Sequence, residues 1–366
     1  MAATVTDFEV QRDALAQTRV ETHPVPEPGD GQVLMKVDRF SLTANNITYA
    51  VFGAAMRYWD FFSDPGAWGR VPVWGFGDVV ASRHPGVAEG TRVYGYFPMA
   101  THRLAQADRA NAGGFVDVSG VHRELAPVYS QYMATGADPL YAKADEDQIM
   151  LFRPLFTTSF ILDDWLAENG FFGAKRVILS SASSKTSLGL AFLLKNNRGG
   201  DVRVTGLTSD GNKAFVEGTG CYDEVVRYDE VAGLDAGTPA AFVDMAGNSS
   251  VRAAVHSHLG EALKLSSAVG GTHWSAVGGG QEGLPGPKVE LFFAPTHIER
   301  RIKEWGGTGF QEKVGGAWHA FIPNARKWIS VSHGFGPDAV AKVYDEVLAG
   351  KTPPDRAHVL SLWPRG

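Results

Sequence analysis

Cysteine is nearly absent from this chain of 366 residues, which contains only Cys221. A single thiol cannot form an intramolecular disulfide, and it cannot build a structural zinc site of several cysteines. No apolar run approaches the roughly 18 residues that a membrane-spanning helix needs, and residues 1–10 lack the features of a signal peptide. We therefore expect a cytoplasmic protein without a membrane partner.

Basic charge is also scarce. The chain has 34 Lys and Arg against 40 Asp and Glu, which gives a formal net charge of −6. Basic clusters interleaved with aromatic residues do not occur, so a nucleic-acid partner is not expected. A hydrophobic content of 44% with 20% charged residues is typical of a globular protein, and the length suits two packed domains. The expected partner is a small-molecule substrate.

Residues 1–150 are rich in predicted strands. Strands are predicted at Gly31–Asp38 and Arg70–Ser82, and a third follows the turn at His84–Gly90 and ends at Tyr96. Short strands separated by turns of Gly and Pro predict a small barrel-like unit. The aromatic segment Arg57–Phe62 either fills the core of this unit or lines a cleft.

Near residue 150 the pattern changes to alternating strands and helices. This alternation predicts a parallel, doubly wound sheet and hence an α/β fold. The predicted strands are Arg176–Ser180, Val202–Leu207, Glu224–Tyr228, Ala240–Asp244, Ala262–Val269 and Val289–Phe293. The predicted helices are Phe156–Asn169, Thr186–Asn197, Asn212–Gly218, Ser249–Leu259 and His297–Glu304. A last helix at Pro337–Leu348 precedes a strand at His358–Trp363.

The strongest local signal for a ligand lies between the first strand of this sheet and its helix. A turn of small residues opens the helix, and the backbone N–H groups at a helix start bind anions. Hydroxyl groups add donors and Lys185 adds a positive charge. The dinucleotide fingerprint has three glycines, of which only Gly189 has a counterpart. The predicted phosphate ligands are Ser181, Ser183, Ser184, Lys185 and Thr186; alternatively, Ser183 and Ser184 only cap a helix.

The end of the second strand bears on the choice of cofactor. Thr208 and Ser209 stand where NAD enzymes commonly place an acidic residue that binds the ribose. Lys213 could bind a 2′-phosphate, so NADP(H) is favoured. Asp210 is close enough to keep NAD(H) as the alternative. Lys213 could also be an ordinary solvated helix residue.

Residues 212–228, from Asn212 to Tyr228, resemble the passage of the medium-chain dehydrogenase/reductase superfamily in which the helix on the adenosine side of the cofactor leads into the third strand. The resemblance is to the zinc-free quinone and enoyl reductases. Residues 180–186 and 153–159 also resemble an uncharacterised branch, a family of unknown function. The resemblance implies a GroES-like catalytic domain, residues 1–150 completed by 325–366, and a Rossmann dinucleotide-binding domain, residues 151–324. It also implies that Tyr228 contacts the cofactor.

The resemblance further implies catalytic residues. Zinc enzymes of the superfamily bind their metal with a cysteine of the N-terminal domain, and no cysteine precedes Cys221. We therefore expect no metal. In the zinc-free enzymes a tyrosine or asparagine of this domain is often near the nicotinamide, and Asn45–Tyr49 occupies the corresponding stretch. Asn45, Tyr49 and Tyr58 are predicted to polarise a carbonyl or donate a proton; core packing is the alternative for each tyrosine.

Further positions are assigned by their place in the pattern. By resemblance, Thr157 and Thr158 lie under the nicotinamide, ahead of the helix that leads into the first strand of the sheet. Gly270, His273 and Trp274 follow the fifth strand, whose carboxyl end faces the ligand. Gly270 is predicted to contact the cofactor, and His273, Trp274 and Tyr96 the substrate, although a lone histidine is more often structural. His256 and His258 are expected on the surface, and Cys221 in the core.

The leading hypothesis is that NADPH reduces an activated double bond, a quinone or a carbonyl group of a fairly apolar molecule. One alternative is a redox-neutral lyase or isomerase, and another is a ligand-binding protein that retained the fold. By analogy with the superfamily, the strand near Lys288–Ala294 is predicted to form a homodimer.

Overall fold

The structure is a computed structural model that describes residues 4–63, 65–125, 127–269 and 283–365. The chain divides into two compact units. Unit 1 contains Met1–Leu151 and Ile329–Gly366, and unit 2 contains Phe152–Trp328.

The regular elements, in chain order, are as follows. The strands are β1 Thr4–Gln11, β2 Ala14–Pro24, β3 Gln32–Leu42, β4 Trp68–Gly69, β5 Pro72–Ser82, β6 Arg92–Pro98, β7 His102–Asn111, β8 Gly114–Asp117, β9 Gln131–Ala134, β10 Arg176–Leu179, β11 Arg203–Thr208, β12 Glu224–Arg227, β13 Ala240–Asp244, β14 Leu263–Ala268, β15 Val289–Leu291, β16 Ser330–Phe335 and β17 Arg356–Ser361. The helices are α1 Ala44–Val51, α2 Glu146–Glu168, α3 Lys185–Arg198, α4 Asp210–Gly218, α5 Ser249–Leu259, α6 Ala294–Trp328 and α7 Pro337–Leu348.

Unit 1 is built around a closed ring of strands. Its large sheet has the order β16-β17-β3-β5-β6-β9-β8-β7, and an additional pairing of β3 with β7 closes the ring. A second sheet has the order β2-β1-β4. Large side chains such as Phe40, Phe76 and Phe97 are fully buried. The predicted barrel-like unit is therefore confirmed, although β1, β2, β4, β7–β9 and β16 were not predicted.

Unit 2 contains a parallel six-stranded sheet in the order β12-β11-β10-β13-β14-β15. All of its strand pairs are parallel, and helices α3, α4 and α5 connect successive strands. The strand order reverses at β10, which lies between β11 and β13. In sheets of this kind the ligand binds at the carboxyl ends of the strands beside that reversal. The prediction of a doubly wound sheet is confirmed.

Helix α2 differs from its prediction because it begins at Glu146 and contains Pro154. A proline inside a helix has no N–H for the carbonyl four residues earlier, which here belongs to Met150. The hydroxyl of Ser41 donates to that carbonyl at 2.8 Å. The lost backbone bond is thus replaced, and the helix continues through the proline.

Helix α6 also extends well beyond the predicted His297–Glu304. It runs to Trp328, with a non-helical residue at Gly306. The second half is rich in glycine and includes Pro323, which lowers helix propensity. Its buried residues nevertheless recur at helical spacing, namely Phe310, Val314, Trp318, Phe321, Ile322 and Ala325. Burial of this apolar face outweighs the poor local propensity.

Candidate functional site

The serine-rich turn of unit 2 connects β10 to α3, at the point where the strand order reverses. Ser184 is the N-cap of α3, and its hydroxyl accepts a hydrogen bond from the backbone N–H of Ser187 at 3.3 Å. The hydroxyl of Ser183 accepts one from Asn212 at 3.1 Å. Both hydroxyls therefore have partners within the protein, but only Ser184 caps α3, whereas Ser183 contacts a side chain of α4.

Three backbone donors of the turn remain available. The N–H groups of Ser183, Lys185 and Thr186 have no acceptor within the residues described by the structure. The first N–H groups of a helix have no intrahelical partner, and the helix dipole adds positive potential there. An anion at this position would therefore receive several backbone hydrogen bonds.

Lys185 is the first residue of α3. No ion pair or hydrogen bond links its ammonium group to the described residues, and Nζ lies over the Phe152 ring, 6.0 Å from the ring centroid. Burial lowers the pKa of Lys185 to about 8. A cation at a helix N-terminus is disfavoured by the helix dipole. An anionic ligand would relieve both unfavourable effects.

Close packing fixes the helix that follows the turn. Gly189 faces Ser159 of α2, and a Cβ at residue 189 would lie 2.7 Å from Ser159 Oγ. That hydroxyl in turn donates to the carbonyl of Thr186 at 2.7 Å. Gly189, the one glycine matched from the fingerprint, thus permits a close approach of α3 to α2.

Tyr228 contacts the turn directly. Its hydroxyl accepts a hydrogen bond from the backbone N–H of Ser181 at 3.1 Å, and burial raises its pKa to about 12. Ser181 has a positive φ of 49°, which is uncommon for a residue other than glycine. Tyr228 therefore shapes the turn.

The neighbouring strand ends carry the residues predicted to select the cofactor. Thr208 ends β11 and is buried, and Ser209 is the N-cap of α4 without a side-chain bond to it. Lys213 Nζ lies 3.6 Å from a carboxylate oxygen of Glu230. Arg227, which the sequence did not single out, ends β12 beside Thr208.

Asp244 is a second residue that sequence reasoning missed. It ends β13, is 1% exposed and accepts hydrogen bonds from Ser180 Oγ at 2.7 Å and from the backbone of Ala246 and Gly247. Arg252 of α5 donates to its other oxygen through Nε at 3.0 Å and Nη2 at 2.7 Å. This buried carboxylate links the serine-rich turn to the next strand and helix.

Five other residues predicted to contact the cofactor or the substrate have different outcomes. Thr157 and Thr158 do not precede a helix but lie within α2, where their hydroxyls donate to the carbonyls of Arg153 and Pro154. The prediction that they precede the helix was wrong, because α2 begins earlier, at Glu146. Gly270, His273 and Trp274 lie outside the described residues.

In unit 1 the structure brings Asn45, Tyr49, Tyr58 and Tyr96 together. Asn45 Nδ2 donates to Tyr49 Oη at 2.8 Å, and the ring centroids of Tyr49 and Tyr58 are 4.7 Å apart. The Tyr96 ring lies 5.5 Å from that of Tyr49. Tyr96 is fully buried, and its hydroxyl has no hydrogen-bond partner among residues 4–63, 65–125, 127–269 and 283–365.

Two members of this cluster were missed. Trp74 Nε1 donates to Tyr49 Oη at 3.3 Å, and Tyr129 Oη lies 3.4 Å from Tyr58 Oη. They lie 25 and 71 residues from their partners in sequence, so no local pattern could have identified them. We call Asn45, Tyr49, Tyr58, Trp74, Tyr96 and Tyr129 the tyrosine cluster.

The electrostatics of the tyrosine cluster favour hydrogen-bond donation. Burial, with a smaller effect of Tyr58, raises the pKa of Tyr49 well above its usual value. Tyr49 therefore stays protonated at neutral pH. Its oxygen already accepts two hydrogen bonds, and its proton has no acceptor in the described part of the chain. The hydroxyl is free to donate to a ligand oxygen.

The remaining single-residue expectations are resolved as follows. Cys221 is buried as predicted, and burial raises its pKa to about 11. His256 was expected on the surface but is fully buried, 2.8 Å from both Ser266 Oγ and the carbonyl of Pro285.

In the described residues, no group of three or more His, Cys, Asp or Glu could hold a metal ion. Nor is any described helix both long and apolar enough to cross a membrane.

Solved structures with the same fold come from several organisms. CurA of Vibrio vulnificus in complex with NADPH has a TM-score of 0.61 at 12% identity, over 100% of each chain. A thermostable alcohol dehydrogenase of Pyrobaculum aerophilum has a TM-score of 0.57 at 13% identity, over 98% of this chain and 100% of that one. The yhdH oxidoreductase of Salmonella enterica in complex with NADP has a TM-score of 0.53 at 14% identity, over 98% and 99%. At these identities the likeness shows the fold alone, with a GroES-like part and a Rossmann part.

Comparison of sequences assigns the family. No curated protein matches the sequence. Residues 40–353 match the family described as "Protein of unknown function (DUF2855)". Because this match covers most of the chain, the protein belongs to the DUF2855 family.

Proposed function

We propose that this protein is an NADP(H)-dependent oxidoreductase that reduces an activated C=C, quinone or carbonyl group of a fairly apolar small molecule without zinc. The observation that carries the proposal lies at the carboxyl end of the central strand β10: Lys185 and three neighbouring backbone N–H groups have no hydrogen-bond or ion-pair partner among the described residues. Similar structures that bind NADPH or NADP support it.

The donor set of the turn fits the pyrophosphate of a dinucleotide. The N–H groups of Ser183, Lys185 and Thr186 bind phosphate oxygens, and the Lys185 ammonium group neutralises their charge. Thr208 ends the next strand, β11, and Ser209 and Lys213 lie at the N-cap and in the first half of α4, on the adenosine side. Such a ligand satisfies the free donors and gives Lys185 an anionic partner.

The tyrosine cluster supplies the group that acts on the substrate. Tyr49 donates its hydroxyl proton towards the substrate oxygen, and hydrogen bonds from Asn45 and Trp74 to Tyr49 Oη strengthen it as a donor. The rings of Tyr58 and Tyr129 provide an apolar contact surface. When bound, the cofactor supplies a hydride that reduces the substrate carbon. Since no cysteine precedes Cys221, the proposal assigns polarisation of the carbonyl to Tyr49 instead of a metal.

The experiment is a titration with NADPH and NADH, followed by tryptophan fluorescence and calorimetry. We expect saturable NADPH binding that weakens at least roughly tenfold in Lys185→Ala, because a charge-assisted contact to phosphate is lost. Lys195→Ala is the matched control, since Lys195 lies at the other end of the same helix and is 46% exposed. Binding of neither nucleotide would overturn the proposal and favour a redox-neutral enzyme or a ligand-binding protein.

A further inference from the structure

Besides Lys213, a second cation at the end of β12 lies near the position predicted for the adenosine ribose of the cofactor. Arg227 is the last residue of β12, and in the parallel register it pairs with Thr208, the last residue of β11. The carboxyl ends of both strands lie at the ligand edge of the sheet. Arg227 thus lies beside the residues assigned to the adenosine side of the cofactor.

Carboxylates already surround this guanidinium group. Arg227 Nη1 lies 3.1 Å from Asp210, Nε lies 3.1 Å from Asp229, and Nη2 lies 3.2 Å from Glu230. Glu230 also approaches Lys213 at 3.6 Å. Three carboxylates thus face two cations, which leaves one negative charge in excess. We call these five residues the Arg227 cluster.

A phosphate monoester cannot enter this cluster without an exchange of partners. It carries about −1.5 to −2 charges near neutral pH, and the cluster is already negative. Asp210 is the carboxylate best able to leave Arg227. It is 83% exposed, and as the first residue of α4 its charge is stabilised by the helix N-terminus. Asp229 and Glu230 lie within the next three residues of the chain and stay beside Arg227.

We propose that Arg227 and Asp210 set the cofactor preference of this protein, an inference that rests on the proposed function. Arg227 exchanges Asp210 for the 2′-phosphate of NADP(H). Asp210, once free of Arg227, accepts hydrogen bonds from the ribose hydroxyls of NAD(H). The two side chains therefore act in opposite directions on the ratio of the dissociation constants for NADPH and NADH.

The test measures both dissociation constants for the wild-type protein, Arg227→Ala and Asp210→Asn. In Arg227→Ala we expect the NADPH constant to rise roughly tenfold or more, while the NADH constant changes less than about threefold. In Asp210→Asn we expect the NADPH dissociation constant to fall roughly threefold, because a carboxylate that competes with the 2′-phosphate for Arg227 is removed. The NADH dissociation constant should rise, because the same carboxylate accepts hydrogen bonds from the ribose hydroxyls. Opposite shifts of the ratio would support the inference.

Two variants serve as matched controls. Arg203→Ala removes a cation from the opposite end of β11, where Arg203 is 55% exposed and faces Glu224. Glu217→Gln removes an exposed carboxylate near the C-terminus of α4. Both should leave the ratio unchanged.

The outcomes separate this inference from the function on which it rests. If the wild-type protein binds nucleotides but the ratio stays within about twofold in both Arg227→Ala and Asp210→Asn, the inference is wrong and the proposed function stands. If the wild-type protein binds neither nucleotide, both are wrong. Asp210→Asn, a change at an exposed residue, keeps the test decisive if Arg227→Ala fails to fold.

Discussion

If the protein binds NADPH as proposed, Lys185 should make its affinity for NADPH depend on pH by an amount that can be calculated. Its pKa is lowered to about 8 by burial, so it is charged below pH 8 and becomes neutral as the pH rises through 8. A bound phosphate favours the charged form, so the pKa in the complex is higher than in the free protein. Affinity is therefore greatest below pH 8 and decreases above it.

The magnitude follows from the charged fraction of the free protein. With a pKa of about 8, roughly 90% of Lys185 is charged at pH 7 and roughly 9% at pH 9. If only the charged form binds tightly, the NADPH dissociation constant rises about tenfold between these pH values, or about 1.4 kcal/mol. The 2′-phosphate has its second pKa near 6 and is largely ionised throughout this range.

The assay is calorimetric titration with NADPH from pH 7 to 9 on three proteins. Lys185→Arg keeps its charge and should show a nearly flat profile. Lys185→Met should bind weakly, also with a flat profile. A tenfold change that persists in Lys185→Met would refute the reasoning, because another group would then be titrating. A flat profile for the wild-type protein would refute it as well.

Three further predictions concern catalysis, stability and assembly. Tyr49→Phe should lower kcat about 100-fold in steady-state kinetics with little change in NADPH affinity; undiminished turnover would remove Tyr49 from the mechanism. Burial opposes ionisation of Glu146, but hydrogen bonds from Arg92 and Tyr141 outweigh it and lower the pKa from 4.5 to about 2. Its contribution to the free energy of unfolding, about 3 kcal/mol, is present above pH 4.5 and lost as the pH falls towards 2. Urea denaturation should therefore show Glu146→Gln to be less stable by about this amount at pH 7, and equal stabilities would contradict it. Finally, we propose that the edge strand β15 pairs with a second copy of the chain, since Leu291 is 77% and Phe293 40% exposed. Leu291→Lys should then convert a dimer to a monomer in light scattering, and a monomeric wild-type protein would rule the dimer out.

The sheet of unit 2 was predictable because buried parallel strands form short apolar runs that contrast with the helices between them. Helix α5 has the predicted bounds, Ser249–Leu259. Strand β2 was missed because most of its residues are exposed and polar, so it lacks an apolar pattern. The predicted helix His297–Glu304 was shorter than α6, because the glycines and Pro323 lower the helix propensity of the second half. The buried face of that half is evident only from tertiary packing.

The candidate site was predictable only where its residues adjoin in sequence. The serine-rich turn and Lys185 follow directly from β10, so their proximity was evident. Trp74 and Arg227 gave no such signal, because Trp74 contacts Tyr49 of α1 and Arg227 is brought beside Thr208 by the pairing of β12 with β11. The placement of His256 was wrong for the same reason: its two hydrogen-bond partners lie 10 and 29 residues away in the chain. Such contacts depend on how the strands and helices are arranged in the fold, and a single sequence does not give that arrangement directly.

The buried carboxylate of Asp244 affects the entropic cost of ligand binding. Five donor groups from three segments converge on it before any ligand arrives, so the serine-rich turn is ordered in advance. A preorganised turn loses little conformational entropy when a phosphate binds. Random mutagenesis scored by nucleotide affinity should therefore recover Asp244 and Arg252 together with Lys185. The rigidity of the serine-rich turn would then depend on residues that do not contact the ligand.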